Sequence, residues 1–132
     1  MRGMLFHAHS GLRYLVLLLG IVTVAYLAWA TLTRRPYDAT ARKVMAAFTG
    51  VVDLQVLIGV LLLFQIPFYA ALMGHLTMMI AAVVVAHAAA IVNRRRPQGP
   101  QSHGLRLGGA LVTMLLILGG IMAIGRPILG SM

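Results

Sequence analysis

The side chains in this sequence that could carry chemistry are few, and most of them lie within or beside long apolar runs. They are His7, His9, Arg13, Asp53, Gln55, His75 and His87. A polar group at membrane depth is costly unless it is paired, ligated or neutral, so each of these positions is a candidate for function. His103 lies between two apolar runs, where we expect it to be solvated and without a functional role.

Two of the histidines stand at corresponding positions. His9 begins the first apolar run and His75 begins the third, and alternate spans of an up-down bundle cross a membrane in the same direction. We therefore expect the two imidazoles at one level, facing each other across the bundle. The iron of a b-type haem needs such a pair of neutral imidazoles, so the spacing predicts His9 and His75 as axial ligands of haem iron. The alternative is that both simply lie at the membrane interface.

Helical spacing predicts that both histidines point into the bundle. The residues that follow His75 on its helix face are mostly small: Met79, Ala82, Ala86 and Ala90. Those that follow His9 are Arg13, Val16, Gly20 and Thr23. Small residues mark the side on which neighbouring membrane helices approach closely, although such a stripe often serves packing alone.

Three further residues are candidates for contact with a haem. Arg13 lies one turn deeper than His9, and its guanidinium could neutralise a haem propionate. Met79 lies one turn from His75 and would line the cofactor site. His7 is about 200° away from His9 around the helix, and it could replace His9 as a ligand if the helix begins earlier.

Asp53 is predicted near the bilayer midplane. A carboxyl group there needs a cation or hydrogen-bond donors opposite it, and His87 lies at a level that differs by roughly 6 Å at 1.5 Å per residue. The spacing permits an Asp53–His87 pair without requiring it. These residues could serve a proton relay or a quinone site, or could clamp two helices together. Gln55 is about 200° from Asp53 and faces elsewhere.

The composition indicates what class of protein positions these residues. Of the 132 residues, 61% are hydrophobic, 10% are charged and none is Cys, and the mean hydropathy is +0.93. Soluble domains carry about a quarter charged residues, so this is a membrane protein. The lack of Cys excludes disulfides, thiolate metal sites, iron–sulfur clusters and a catalytic thiol.

Four apolar runs are visible, at residues 10–33, 44–66, 72–92 and 107–124. Each is long enough to cross a hydrocarbon core of about 30 Å, which takes about 20 helical residues. None alternates polar with apolar residues, which excludes strands. Because the connections are short, we predict an all-α protein with a single domain over residues 1–132, an up-down bundle of four transmembrane helices. The glycine pairs Gly108-Gly109 and Gly119-Gly120 predict close packing of the fourth helix.

The basic residues predict the orientation of the bundle. Lys and Arg outnumber Asp and Glu by 11 to 2, but they lie in the gaps between apolar runs, where they indicate topology and contacts with anionic lipid headgroups rather than nucleic-acid binding. One side collects eight of them: Arg34, Arg35, Arg42, Lys43, Arg94, Arg95, Arg96 and Arg106. The other has three, Arg2, Arg13 and Arg126. The positive-inside rule thus predicts that both long connections are in the cytoplasm and both termini are outside. The first run is too long for the apolar region of a signal peptide, so we interpret it as a retained helix.

Three segments also suggest a family. The segment from His9 to Tyr14 reads H-S-G-L-R-Y, Asp53-Leu54-Gln55 is followed by Gly59, and the segment from His75 to Met79 reads H-L-T-M-M. Over nearly the whole chain the sequence resembles small four-helix bacterial membrane proteins labelled "cytochrome B". The resemblance implies haem b and an electron carrier of the bacterial inner membrane, a subunit of a larger respiratory or photosynthetic complex. Some relatives have His in place of Asp53, so this chain would lack that side chain as a ligand.

Three functions are therefore open. The first is a b-type cytochrome, and the second is a cofactor-free accessory subunit whose polar residues hold helices together. The third is a proton or small-solute carrier that uses Asp53, which the absence of a broken helix or inverted repeat in the sequence disfavours. No carboxylate pair, activated nucleophile or phosphate loop is visible, so we expect an electron carrier or accessory subunit rather than a stand-alone enzyme.

Overall fold

The computed structural model describes residues 2–36, 38–65 and 67–123 and contains four α-helices in this part of the chain. They are α1 (Arg2–Leu32), α2 (Ala39–Leu63), α3 (Ala70–Arg94) and α4 (Pro100–Ala123). Each is long and apolar enough to cross a membrane, and sequential helices run antiparallel. The predicted all-α, up-down bundle of four spans is confirmed.

The helices begin earlier than the apolar runs. α1 begins at Arg2 rather than residue 10, α2 at Ala39 rather than residue 44, and α4 at Pro100 rather than residue 107. An apolar run marks only the part of a helix that suits hydrocarbon, whereas backbone hydrogen bonding continues into the polar flanks. Proline is also well suited to the first position of a helix. The predicted span ends at residues 66 and 124, and Arg126, lie outside the described residues.

The helices pack in a ring with one weak side. α1 packs against α2 and α4, and α3 packs against α4, while α2 and α3 touch only lightly. Within the described ranges α1 and α3 do not approach each other closely, so they face each other diagonally across the bundle. The core contains large residues such as Leu27 and Phe48 and small ones such as Ala82 and Ala86, all fully buried. The small-residue face predicted for α3 therefore points inward.

One glycine of each pair in α4 makes a close approach to α3. A Cβ atom on Gly109 would stand 2.5 Å from the Cβ of Ala89, and one on Gly120 would collide with the Met79 methyl group. Gly108 has open space around it among the described residues, and a Cβ on Gly119 would make only ordinary contact with Met78. The predicted close packing thus holds for Gly109 and Gly120 but not for their neighbours, which lie about 100° away around the helix.

The two ends of the bundle differ in charge. The basic end, where α1 joins α2 and α3 joins α4, carries Arg34, Arg35, Arg42, Lys43, Arg94, Arg95, Arg96 and Arg106. The histidine end, where α1 and α3 begin, carries His7, His9 and His75. This separation along the helix axis is the one that the sequence predicts.

His103 lies in the core of the basic end, and the prediction that it would be solvated is wrong. It is 0% exposed, and its Nε2–H donates to the carbonyl of Pro36 at 3.2 Å. Nearby, the buried Arg106 donates to Oε1 of Gln98 at 3.2 Å. Because α4 begins at Pro100, His103 is part of that helix rather than of a loop, and its ring packs against the chain that leaves α1.

Asp38 organises the turn between α1 and α2. Its carboxylate caps α2 by accepting from the Ala41 N–H at 2.9 Å, and it also accepts from Nε of Arg35 at 2.6 Å and from the Tyr26 hydroxyl at 2.5 Å. The hydrogen bond from Arg35, then that from Tyr26, then that from Ala41, hold the pKa of Asp38 well below its usual range. The turn thus depends on an ionised Asp38.

This arrangement predicts an acid-sensitive turn. A carboxyl whose folded-state pKa lies below its unfolded value stabilises the fold above that value, and the stabilisation is lost as the pH falls toward the folded pKa. The free energy of unfolding should therefore begin to fall below about pH 5 and should keep falling as the pH approaches the folded-state pKa of Asp38. Asp38→Asn, which keeps a capping side chain, should flatten this slope, and Asp38→Ala should cost about 1 kcal/mol more through the lost cap. Denaturant unfolding in detergent at several pH values measures both effects, and equal slopes for wild type and Asp38→Asn would contradict the assignment.

Candidate cofactor site at the histidine end

His9 of α1 and His75 of α3 face each other across the diagonal of the bundle. Their ring centroids are 6.3 Å apart and the ring planes are nearly perpendicular, at 89°. Both side chains are half-buried. The sequence predicts this juxtaposition, and the structure confirms that the two rings meet at one level.

α4 fixes the orientation of the His75 ring. Nδ1 of His75 lies 2.8 Å from the backbone carbonyl oxygen of Gly120. Because a carbonyl oxygen only accepts, Nδ1 carries the proton and donates it, which leaves Nε2 as the nitrogen with a lone pair. A hydrogen bond of this kind commonly fixes the tautomer of a histidine that binds a metal. A backbone carbonyl has no sequence signature, so spacing alone could not identify Gly120 as its partner.

α2 supports His9. A Cβ atom on Gly59 would stand 3.0 Å from Cε1 of His9, so the glycine provides the space in which the imidazole lies. One helical turn away, Nε2 of Gln55 donates to the backbone carbonyl of His9 at 2.7 Å. Gln55 therefore faces α1, on a different side of α2 from Asp53, as its spacing predicts.

Arg13 places a positive charge within the bundle. Its side chain is only 6% exposed, it donates from a terminal guanidinium nitrogen to the Tyr14 hydroxyl at 2.7 Å, and its guanidinium carbon lies 4.6 Å from the centre of the Tyr14 ring. Arg13 is one turn deeper than His9 on α1, and Val16 and Thr23 on the same face are buried as well. The predicted inner face of α1 is confirmed.

His7 and Met79 take different positions relative to the histidine pair. His7 is exposed, and its ring makes an edge contact with Phe6 at 5.8 Å between centroids, so His9 rather than His7 faces His75. Met79 packs beside His75, where Gly120 leaves room for its methyl group.

Asp53 and His87 form a separate polar pair between α2 and α3. Nε2 of His87 lies 2.9 Å from each carboxylate oxygen of Asp53. The side chains bridge the difference in level that the spacing indicates, and they link the adjacent helices that otherwise touch least. The pair joins α2 to α3 and is not part of the His9–His75 cluster.

The ligand set limits what kind of metal centre the histidine end could hold. Across residues 2–36, 38–65 and 67–123, no three His, Cys, Asp or Glu side chains come together in a group that could hold a metal ion. Two imidazoles suit an iron that brings its remaining four ligands with it, as haem iron does.

Comparison with known proteins identifies no family. No family model, curated protein or solved structure matches this chain. The resemblance carried by the segments at His9, Asp53 and His75 therefore stays a prediction.

Proposed function

We propose that this chain is a membrane-embedded b-type haem protein that carries electrons, with His9 and His75 as the axial ligands. The observation that carries the proposal is the facing of these two rings across the bundle. The two ring centroids are 6.3 Å apart, and the hydrogen bond of His75 Nδ1 to Gly120 leaves Nε2 with a lone pair, so the two imidazoles are a donor set that would hold a haem iron. The residues present therefore fit the group.

The surrounding residues have complementary roles in this proposal. Gly120 orients His75 through its carbonyl, and Gly59 gives His9 its space, so both imidazoles are supported from a neighbouring helix. Arg13, braced by Tyr14, supplies a buried cation for a propionate, and Met79 lines the site next to His75. When bound, haem supplies a reversible one-electron change of its iron. The chain would hold the group and orient it.

The setting of this function follows from the charge distribution. We place the basic end in the cytoplasm and the histidine end, with both termini, on the periplasmic side of a bacterial inner membrane. We propose from the resemblance to proteins labelled "cytochrome B" that the chain exchanges electrons inside a larger respiratory or photosynthetic membrane complex.

A cofactor-free accessory subunit is the second candidate. The observation that favours it is the exposure of the spans of α2 and α3, of which only 17% and 11% is buried, compared with 33% and 44% for α1 and α4. Such faces suit a helix that packs against other membrane proteins. In this alternative the histidine pair and the Asp53–His87 pair hold helices together and bind nothing. Asp53 and His87 could also serve a proton or quinone site in the first proposal.

The haem content of the purified chain tests the proposal. Expression with haem in excess should yield about one haem b per chain, because one pair of facing imidazoles holds one iron. Chain purified from haem-limited cells should take up added hemin to the same ratio, which controls for supply during expression. A well-folded helical chain that binds less than about a tenth of an equivalent in both preparations would contradict the proposal and favour the accessory subunit.

A further inference from the structure

The Asp53–His87 pair lies on the outer surface of the bundle although it stands within the spans. The side chain of His87 is 48% exposed and that of Asp53 is 41% exposed. The pair is polar, and hydrocarbon offers it no hydrogen bonds. A polar surface of this size at membrane depth therefore indicates that protein covers it in the assembled state.

Small residues flank the pair on α2. Ala46, Gly50 and Asp53 follow one another along α2 at spacings of four and then three residues. The three therefore lie on one face of the helix. Ala46 and Gly50 are both exposed, and no described atom beyond the helix itself lies within 4 Å of a Cβ built on Gly50. Two small residues four apart allow the backbones of membrane helices to approach closely. This face of α2 is shaped for another helix, yet none covers it.

We propose that the α2–α3 face, centred on Ala46, Gly50, Asp53 and His87, is an interface between two copies of this chain. A two-fold axis along the helices would place the pair of one copy opposite the pair of the other, at the same depth in the membrane. The Asp53 carboxylate of each copy then faces the His87 imidazole of its partner. The two-fold rotation reverses the dipole of the pair, so the pair in one copy is complementary to the pair in the other. A second copy of the chain therefore covers the pair without any other polar partner.

Three observations support a second copy as the occupant. The polar pair needs a polar cover, the adjacent small residues admit a close helix, and α2 and α3 are the helices with the least buried spans. A lipid acyl chain satisfies none of the hydrogen-bonding needs of the pair. The inference does not depend on haem, because the face lies away from the His9–His75 rings.

The natural absence of Cys allows a direct test by crosslinking. Gly50→Cys should form a disulfide-linked dimer when membranes are oxidised, because Gly50 lies close to the proposed two-fold axis. Ile21→Cys is the matched control, since Ile21 is 61% exposed on α1. Ile21 is as many residues from Leu32, where α1 ends, as Gly50 is from Ala39, where α2 begins, so the two positions lie at a similar depth. We expect at least about fivefold more dimer from Gly50→Cys. Equal yields, or a crosslink only to a different protein, would overturn the proposal.

Two further measurements connect the interface to the polar pair. Adding Asp53→Leu to the Gly50→Cys chain should lower the dimer yield, and an unchanged yield would remove the pair from the interface. The unmodified chain, released gently from detergent, should have twice the 14.2 kDa mass of one copy by native mass spectrometry. A monomer alone would contradict the proposal, and this measurement depends on no variant. None of these results bears on haem content.

Discussion

Replacing His75 with alanine should lower the haem recovered with the purified chain to below about a tenth of the wild-type amount. Among the described residues, the imidazole is one of two candidate ligands at the histidine end that face each other, and its loss would leave a haem iron with a single ligand from this part of the chain. His9→Ala should have the same effect, because the two rings act as one site. Haem extracted from the purified variants and expressed per chain is the quantity to measure.

His7→Ala is the matched control for this expectation. His7 lies two residues from His9 on the same helix, but it is exposed and contacts Phe6 rather than His75. The variant should therefore retain the haem content of the wild type. If His7→Ala lost its haem while His9→Ala kept it, the ligand on α1 would be His7 and the helix would be turned about its axis by about 200° relative to this structure.

Replacing Gly109 with alanine should destabilise the bundle by about 1–3 kcal/mol, because the added methyl group overpacks a contact between two helices. It would stand 2.5 Å from the Cβ of Ala89, which is too close for carbon atoms, and neither helix backbone can give way cheaply. α3 and α4 form the most extensive helix contact in the described chain. The added methyl group would push these two helices apart and so weaken the main packing surface of the bundle. The midpoint of unfolding in mixed detergent micelles measures the effect.

Gly108→Ala makes the same chemical change one residue away and should not destabilise the bundle. The part of the chain that the structure describes leaves open space around Gly108, so the methyl group meets no atom. Alanine favours a helix over glycine by up to about 1 kcal/mol, which should leave stability unchanged or raise it. Equal destabilisation by both substitutions would mean that α3 packs against a different face of α4.

The sequence predicted the fold well because the apolar runs are long and their connections short. It placed the helix ends poorly, since hydropathy ends at the edge of the hydrocarbon whereas helical hydrogen bonding does not. The error over His103 has this origin, because a histidine expected between two runs lies inside α4 and is fully buried. Asp38 provides the missing signal for α2, as a capping residue immediately before Ala39.

The candidate site was predicted in part. The contact between His9 and His75 was predicted because both begin apolar runs that cross the membrane in the same direction. That prediction depends only on residue numbers and topology. The hydrogen bond of His75 to Gly120 could not be predicted, because its acceptor belongs to the backbone and every residue has one. The Asp53–His87 contact stayed open in the sequence, since a difference in level along two helices says nothing about how far their side chains reach.

The reduced-minus-oxidised absorption spectrum of the purified chain decides whether His9 and His75 hold a haem. A protein that holds haem between His9 and His75 should show the Soret and alpha bands of a low-spin b-type iron, and both should disappear in His75→Ala. A chain that is folded, helical and expressed with haem in excess, yet shows neither band, would contradict the account.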